Sequence, residues 1–343
     1  MDGQEQKQYD RIEGGSLVFS PDSMRVAYVA RAGKNHLVVV DGQEQKQYDK
    51  TKKQALVFSP DSNRMAYLAS VGVWCIVVDG HEQLQFRSVG PPFFSPDSQR
   101  LAYALTRKER WFKTTVGSVV VDGQEGKDYD LKGEYPKLPS LVFSPDSKRL
   151  AYWWEIDAGS ETSPRKGFVV VDRQEGKAYE SGGPPVFSPD SKRLAHVAVA
   201  DGKAFVVVDG QEQRRYDRVS SLVFSPDSKR VAYVASVGVW FIIKKMVVID
   251  GQEGSQYDRI LAPPEGGGVI FDSPNQLHYV VQKGNPLFLV EERISSLSQD
   301  ENVEASMNRL CENCGNEYAY DDARYCTSCG ATLDHRATTP EEG

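Results

Sequence analysis

Short apolar runs alternate along this chain with polar turns, and the pattern repeats every 36 to 49 residues. Each repeat contains the phrase Phe-Ser-Pro-Asp-Ser, then an alternating run such as Arg25-Val26-Ala27-Tyr28, then a valine-rich run that ends in Asp-Gly. The phrase begins at Phe19, Phe58, Phe94, Phe143, Phe187 and Phe224, and a degraded copy begins at Phe271. A period of this length is typical of a propeller blade, so the sequence predicts a repeat architecture.

Each repeat predicts four short strands, which we call a, b, c and d. Strand a ends at the phenylalanine, and Ser-Pro-Asp-Ser supplies a tight turn because proline presets φ and the polar side chains bind nearby backbone groups. Strand b alternates, strand c is apolar throughout as in a strand buried on both faces, and Asp-Gly favours a two-residue hairpin. Strand d is polar, which suits an outer edge. The sequence therefore predicts an all-β fold, a seven-bladed β-propeller.

The two ends of the repeat region predict how the propeller closes. Residues 2–10 are identical to residues 41–49, so the chain begins at a strand d that has no strands a, b or c before it. The last repeat ends its strand c with Glu291-Glu292 in place of Asp-Gly. We therefore expect the N-terminal strand to serve as strand d of the last blade and to close the propeller.

Phe-Ser-Pro-Asp-Ser followed by Arg-x-Ala-Tyr resembles the WD40-like repeats called PD40, found in TolB-type propellers and in the propeller domains of prolyl oligopeptidases. The resemblance covers about residues 1–292 and implies the propeller fold, although propellers host many functions. We interpret the recurring arginines as partners of turn carboxylates or carbonyls, and the recurring tyrosines as packing between blades. One hairpin carries Arg173 in place of glycine, which predicts local strain or another turn type.

Two Cys-x-x-Cys pairs near the C terminus predict a zinc site. Four thiolates complete a tetrahedral shell with no vacant position, so the ion would be structural. The segment from Leu310 to Leu333 resembles the short bacterial zinc-ribbon family. A module of this size cannot build a sufficient core alone, so we expect one Zn²⁺ per chain to supply much of its folding energy. The four candidate ligands are Cys311, Cys314, Cys326 and Cys329.

These motifs divide the chain into a propeller (1–292), a polar linker (293–309), a zinc ribbon (310–334) and a tail (335–343). The composition is 40% hydrophobic and 26% charged, with a formal net charge of −7. This acidic balance gives no overall attraction for nucleic acid or for an anionic membrane. No apolar run is long enough to span a bilayer, and the N terminus lacks the pattern of a signal peptide. We expect a cytoplasmic monomer.

Loop length varies at only two of the four connections in each repeat. The a–b and c–d turns are nearly constant, whereas the b–c and d–a connections carry insertions at 106–116, 132–139 and 155–166. In an up-and-down blade both variable connections lie on one face. Variable loops on a rigid scaffold often hold binding residues, so we predict that this face is the partner surface. The candidate anchors, chosen as aromatic or arginine residues, are Arg110, Trp111, Phe112, Trp153 and Trp154.

The leading functional hypothesis is a non-enzymatic scaffold that binds protein partners, with the zinc ribbon as a second docking module. One alternative is nucleic-acid-associated binding through the ribbon and the basic segment 107–113, against which the acidic residues of the ribbon count. The other alternative is an accessory propeller of a hydrolase system. The sequence contains neither a Gly-x-Ser-x-Gly elbow nor the length for an α/β-hydrolase domain, so we expect no catalysis.

Overall fold

The structure is a computed structural model that describes residues 7–52, 55–108, 115–131, 138–156, 166–239, 242–261, 268–294, 305–310 and 317–319. Within these residues the chain is all-β, with no helix. The strands form seven antiparallel sheets, which we call blades 1 to 7. The chain divides into two compact units, Met1–Pro185 and Val186–Gly343, with four of the sheets in the first unit and three in the second.

The first unit contains blades 1 to 4 and a short final strand. Blade 1 is β1 (Arg11–Ile12), β2 (Val18–Phe19), β3 (Val26–Ala32), β4 (Asn35–Val40) and β5 (Gln43–Tyr48). Blade 2 is β6 (Lys50–Thr51), β7 (Val57–Phe58), β8 (Met65–Val71), β9 (Val73–Val78) and β10 (His81–Phe86). Blade 3 is β11 (Ser88–Val89), β12 (Phe93–Phe94), β13 (Leu101–Lys108), β14 (Thr115–Val121), β15 (Gln124–Glu125) and β16 (Tyr129–Leu131). Blade 4 is β17 (Leu141–Phe143), β18 (Leu150–Ile156), β19 (Lys166–Val171) and β20 (Gln174–Glu175), and β21 (Ser181–Gly182) follows.

The second unit contains blades 5 to 7. Blade 5 is β22 (Val186–Phe187), β23 (Leu194–Ala200), β24 (Lys203–Val208) and β25 (Gln211–Glu212). Blade 6 is β26 (Arg218–Phe224), β27 (Val231–Val239), β28 (Ile242–Ile249) and β29 (Gln252–Glu253). Blade 7 is β30 (Arg259–Leu261), β31 (Ile270–Ser273), β32 (Gln276–Gln282), β33 (Leu287–Arg293), β34 (Ala305–Leu310) and β35 (Glu317–Ala319).

The hairpin between strands c and d has the predicted conformation. In blade 1, Asp41 and Gly42 have φ values of 52° and 80°, as a type I′ turn requires. The hairpin of blade 4 keeps this conformation although it lacks glycine, since Asp172 and Arg173 have φ values of 48° and 71°. Arg173 therefore occupies the strained left-handed region, and the alternative of a different turn type is wrong.

Neighbouring blades within each unit pack through their apolar faces and their recurring tyrosines. Tyr48 at the end of β5 meets Tyr67 on β8 edge to face, with ring centroids 6.2 Å apart. Tyr216 and Tyr233 repeat this contact in the second unit, also at 6.2 Å. Edge-to-face aromatic pairs add to the stabilisation from burial alone. The prediction that these tyrosines pack between blades is confirmed.

The outer edge of blade 7 is paired with a strand that follows it in the chain. Strand β33 pairs antiparallel with β34, and β34 pairs with β35. Residues 2–6 of the expected closing strand lie outside the described residues, so the expectation that the N-terminal strand closes the propeller stays a prediction. Strand β34 overlaps the predicted polar linker (293–309) and ends at Leu310, the first residue of the predicted ribbon. The physical reason is that an outer strand here is polar and needs no apolar pattern, so the segment could not be told from a linker by composition.

Candidate functional site

The a–b turn and the c–d hairpin of each blade lie at the same edge of the sheet. In blade 1, Arg25 Nε donates to Asp41 Oδ2 at 2.9 Å, and the backbone N–H of Val26 donates to Asp41 Oδ1 at 2.9 Å. Blades 2 and 3 repeat the arginine–aspartate pair with Arg64 and Asp79 at 3.0 Å and with Arg100 and Asp122 at 2.9 Å. The recurring arginines pair with hairpin carboxylates, as we interpreted them.

The same arginines also bind the next blade. Arg25 Nη1 donates to the carbonyl oxygens of Ser62 and Asn63 at 2.9 and 3.1 Å, and its guanidinium lies 5.2 Å from the centroid of the Phe58 ring. The Ser62 hydroxyl in turn accepts the backbone N–H of Asp22 at 3.1 Å. A rigid guanidinium can serve a carboxylate, two carbonyls and an aromatic face at once. The Phe-Ser-Pro-Asp-Ser phrase therefore holds neighbouring blades together, and this edge is structural.

The opposite edge of each blade brings the b–c and d–a connections together. The carboxylate of Asp49 accepts the backbone N–H of Gly72, in the b–c turn of blade 2, at 3.0 Å. Asp10 and Gly33 make the corresponding contact at 2.5 Å. Asp217 with Gly238 and Asp258 with Gly284 do so in the second unit, at 2.8 and 2.7 Å. These contacts confirm that the two variable connections share one face, which we call the insertion face.

Sequence reasoning missed the role of these aspartates. Each of them directly follows the aromatic residue at the end of strand d, so the signal is a repeated Tyr-Asp pair, as in Tyr48-Asp49. A carboxylate that accepts the N–H of a tight turn fixes that turn. The short b–c turns are thus held in place by the preceding strand d.

A pocket opens on the insertion face of blade 4. It is open to solvent and has a cavity volume of about 60 Å³. The indole of Trp153 and the carboxylate of Glu155 come from strand β18, while two proline-containing segments supply the remaining walls. Its lining residues are Leu138, Pro139, Ser140, Trp153, Glu155, Gly182, Gly183 and Pro184. Its walls are as polar as they are apolar and include one carboxylate, which suits a side chain of a partner.

Trp153 and Trp154 are buried, in contrast to the prediction that they are exposed anchors. Their exposed fractions are 7% and 1%. Trp153 lies against Gly167, and Trp154 lies against Gly117. A Cβ atom added at either glycine would come within 2.9 Å of the indole ring that the glycine faces. Trp154 also stacks on Tyr129 at 4.6 Å. The physical reason is that glycine on the facing strand leaves room for the large rings, so Trp154 belongs to the core and Trp153 contributes only a pocket wall.

The other predicted site residues lie outside the described residues. This holds for Arg110, Trp111 and Phe112, which belong to the predicted surface, and for all four zinc ligands. The described residues do show what flanks the first cysteine pair. Strand β34 ends at Leu310 and pairs with β35 in a register that places Leu310 opposite Glu317. Cys311 and Cys314 fall between these two paired strands in the sequence.

The basic segment behind the nucleic-acid alternative is partly neutralised. Arg107 forms ion pairs with Glu125 and with Asp128, the latter at 2.6 Å. A guanidinium held by two carboxylates presents little net positive charge to a phosphate backbone. The described part of this segment therefore does not favour nucleic-acid binding.

Comparisons with known proteins gave matches to solved structures only. No family model matches the sequence, and no curated protein matches it. Among solved structures, a eukaryotic initiation factor is 12% identical over 85% of this chain and 79% of that chain, with a TM-score of 0.47. The β-propeller domain of the Trilobed protease from Pyrococcus furiosus is 13% identical over 83% and 99%, with a TM-score of 0.38. TolB from Acinetobacter baumannii is 13% identical over 80% of each chain, with a TM-score of 0.30.

Among the residues that the structure describes, no helix has the length and apolar character needed to cross a bilayer.

Proposed function

We propose that this chain is a non-enzymatic protein-interaction scaffold whose partner binds at the insertion face. The observation that carries the proposal is the position of the pocket beside Trp153 and Glu155. The insertion 132–139 includes its wall residues Leu138 and Pro139, and the insertion 155–166 begins at its rim residue Glu155. A rigid pocket between two variable segments is a common arrangement for recognition.

The proposed scaffold combines a propeller with a zinc ribbon. Each of the seven sheets serves as one blade of the propeller. Cys311, Cys314, Cys326 and Cys329 bind one structural Zn²⁺, and the resulting ribbon acts as a second docking module. The hairpin formed by β34 and β35 supports this because it flanks the first cysteine pair. The buried free thiol of Cys75 fits a reducing compartment, in line with a cytoplasmic location.

Site-specific photo-crosslinking tests the partner surface. Benzoylphenylalanine replaces the exposed Ser140 at the pocket rim, and in a matched protein it replaces Lys229, whose side chain is 84% exposed at an a–b turn. In extract of the source cells, we expect a discrete adduct from position 140 that Glu155→Arg abolishes. The absence of an adduct at position 140, or an adduct at position 229 that is insensitive to Glu155→Arg, would show that the surface is wrongly chosen.

A further inference from the structure

Blade 4 departs from the other blades at two positions of strand b. Trp153 directly follows Tyr152, and Glu155 lies two residues further along the strand. The residues of the other blades at the first position are all aliphatic: Val29, Leu68, Ala104, Val197, Val234 and Val280. None of the residues at the second position is acidic: Arg31, Ser70, Thr106, Val199, Ser236 and Gln282. Six blades form without this tryptophan and this glutamate, so the pair indicates a role that is specific to blade 4.

These two residues lie on one face of β18 and line the same pocket. Successive side chains of a strand point to opposite faces, so residues 153 and 155 share a side of the sheet. Gly167 lies opposite Glu155 on β19 and leaves the space that the Trp153 ring fills. The segments 138–140 and 182–184 complete the walls. All of these residues belong to the first compact unit, so the pocket is built within that unit.

Glu155 gives the pocket a negative charge. Its side chain is half-buried, and the other lining residues are uncharged. In the part of the chain that the structure describes, no lysine or arginine forms an ion pair with its carboxylate, whereas Glu175 on the same blade is paired with Lys127. A carboxylate that is partly removed from water attracts a cation more strongly than one in bulk solvent. The pocket therefore favours a positively charged occupant.

The size of the pocket selects the kind of cation. Its volume of about 60 Å³ suits the tip of one side chain, because pockets for small-molecule ligands are several times larger. An ammonium is compact and its three N–H groups can turn toward any acceptor, whereas a guanidinium is a broad, rigid plane. Blade 2 shows that lysine and tryptophan can pair in this protein, since Lys52 Nζ lies 5.1 Å from the centroid of the Trp74 ring.

We propose that this pocket binds the side chain of a lysine from the protein partner. The lysine ammonium donates hydrogen bonds to the Glu155 carboxylate and to the hydroxyl of Ser140, which is exposed at the rim. The lysine methylene groups pack against Trp153 and Pro139, as the stems of long charged side chains do on apolar surfaces. This inference rests on the proposed partner surface and adds to it the chemistry of the group that the partner inserts.

Blocked single amino acids probe the pocket directly. Nα-acetyl-lysine methylamide is titrated into the isotope-labelled full chain, and NMR follows the indole N–H signal of Trp153. We expect a saturable shift with the lysine derivative and none with the norleucine derivative, which has the alkyl chain without the ammonium. The arginine derivative should bind at least about fivefold more weakly than the lysine derivative, because its planar group does not fit the pocket.

Two protein variants make the titration specific. Glu155→Gln should weaken binding of the lysine derivative at least about fivefold, because a hydrogen bond to a charged group is lost. Asp130→Asn removes an exposed carboxylate from blade 3 and is the matched control, which should bind normally. Binding that survives Glu155→Gln, or equal binding of the norleucine or arginine derivative, would overturn the lysine site.

Photo-crosslinking from position 140 separates this inference from the proposed partner surface. Glu155→Gln in the crosslinking protein should remove the adduct, and Asp130→Asn should leave it in place. An adduct that Glu155→Gln leaves intact would retain the partner surface and overturn the lysine site. The absence of an adduct from every protein would overturn the partner surface, while the titration would still decide whether the pocket binds lysine.

Discussion

The hydroxyl of Tyr279 donates a 2.6 Å hydrogen bond to Glu292 Oε1 inside blade 7. In other blades a tyrosine at the end of strand d faces a glutamate that a lysine neutralises. Tyr48 faces Glu82, which binds Lys46 at 2.7 Å, and Tyr129 faces Glu175, which binds Lys127 at 2.6 Å. The position of that lysine, two residues before the aromatic, is Ser255 in the strand d that precedes blade 7. Among the side chains that the structure describes, Glu292 is thus a buried carboxyl without a cationic partner.

Burial raises the pKa of Glu292 above its ordinary value of 4.5, and the bond from Tyr279 offsets this only in part. The folded protein therefore binds this proton more tightly than the unfolded chain does, so stability from this group is present at low pH and is lost as pH rises through the folded pKa. Glu292→Gln should stabilise the protein at pH 8, on the order of 1 kcal/mol, and should have little effect at pH 4. Urea unfolding at the two pH values measures this.

Glu82→Gln is the matched control, because the pKa of Glu82 is shifted in the opposite direction from that of Glu292. The hydrogen bond from Lys46 lowers the pKa of Glu82, so its contribution is present at neutral pH and is lost on acidification. Glu82→Gln should therefore not stabilise the protein at pH 8. If Glu292→Gln also fails to stabilise there, then Glu292 is not a strained buried acid.

Arg64 tests the contact between blades. Its guanidinium binds Asp79 at 3.0 Å, reaches the carbonyl oxygens of Ser98 and Gln99 at 3.2 Å each, and lies on Phe94. Arg64→Lys keeps the charge but cannot make all of these bonds, so it should lower the free energy of unfolding by about 1 to 2 kcal/mol. Urea unfolding gives the value. Arg11→Lys is the control, since Arg11 has only a 3.8 Å pair with Glu13; equal losses for both variants would contradict the role of Arg64.

Arg173 offers a stabilising substitution. Its φ of 71° is unfavourable for a residue with a side chain, and glycine removes this cost. Arg173→Gly should raise the free energy of unfolding by about 0.5 to 1 kcal/mol. Gly123→Ala is the converse: its φ is 78° and open space surrounds the added Cβ, so it should destabilise by a similar amount. Thermal melts measure the change in stability of each variant. A loss of stability in Arg173→Gly would mean that the arginine side chain stabilises the protein by more than its strained backbone destabilises it.

The zinc prediction rests on the four cysteines of the C-terminal segment. Elemental analysis of protein purified without chelator should give one zinc per chain, and Cys326→Ser should lose it. Cys75→Ala should retain the metal, because Cys75 is a buried thiol whose pKa is raised by burial. We expect chelation to leave the β-sheet circular dichroism of the blades in place, since they have apolar cores of their own. Protein without zinc, or sheet signal lost on chelation, would contradict this prediction.

The repeat structure was predictable because its signals are local. The alternation of strand b, the valines of strand c and the Asp-Gly hairpins depend on neighbours within a few residues, and so do the turns around Ser20 and Asp22. The shared face of the b–c and d–a connections also followed from counting strands. These predictions required no knowledge of which blades touch.

The burial of side chains and the pairing of outer strands were not predictable from local signals. Trp153 and Trp154 lie on a strand that borders the insertion face, yet glycines on facing strands bury them. Strand β34 was not predicted, because polar outer strands carry no distinctive pattern and this segment was expected to be a linker. In both cases the deciding partner is distant along the chain.

The sequence by itself determined the strands, the turns and the repeated arginine, because the backbone geometry of each repeat is set by residues within it. Tertiary structure alone decided that Phe19 is exposed while Phe58 is covered, although the same five residues, Phe-Ser-Pro-Asp-Ser, begin at both. Phe58 is covered because Arg25 of blade 1 lies on its ring. Burial is a property of the surroundings of a side chain, and identical repeats acquire different surroundings only in the folded molecule.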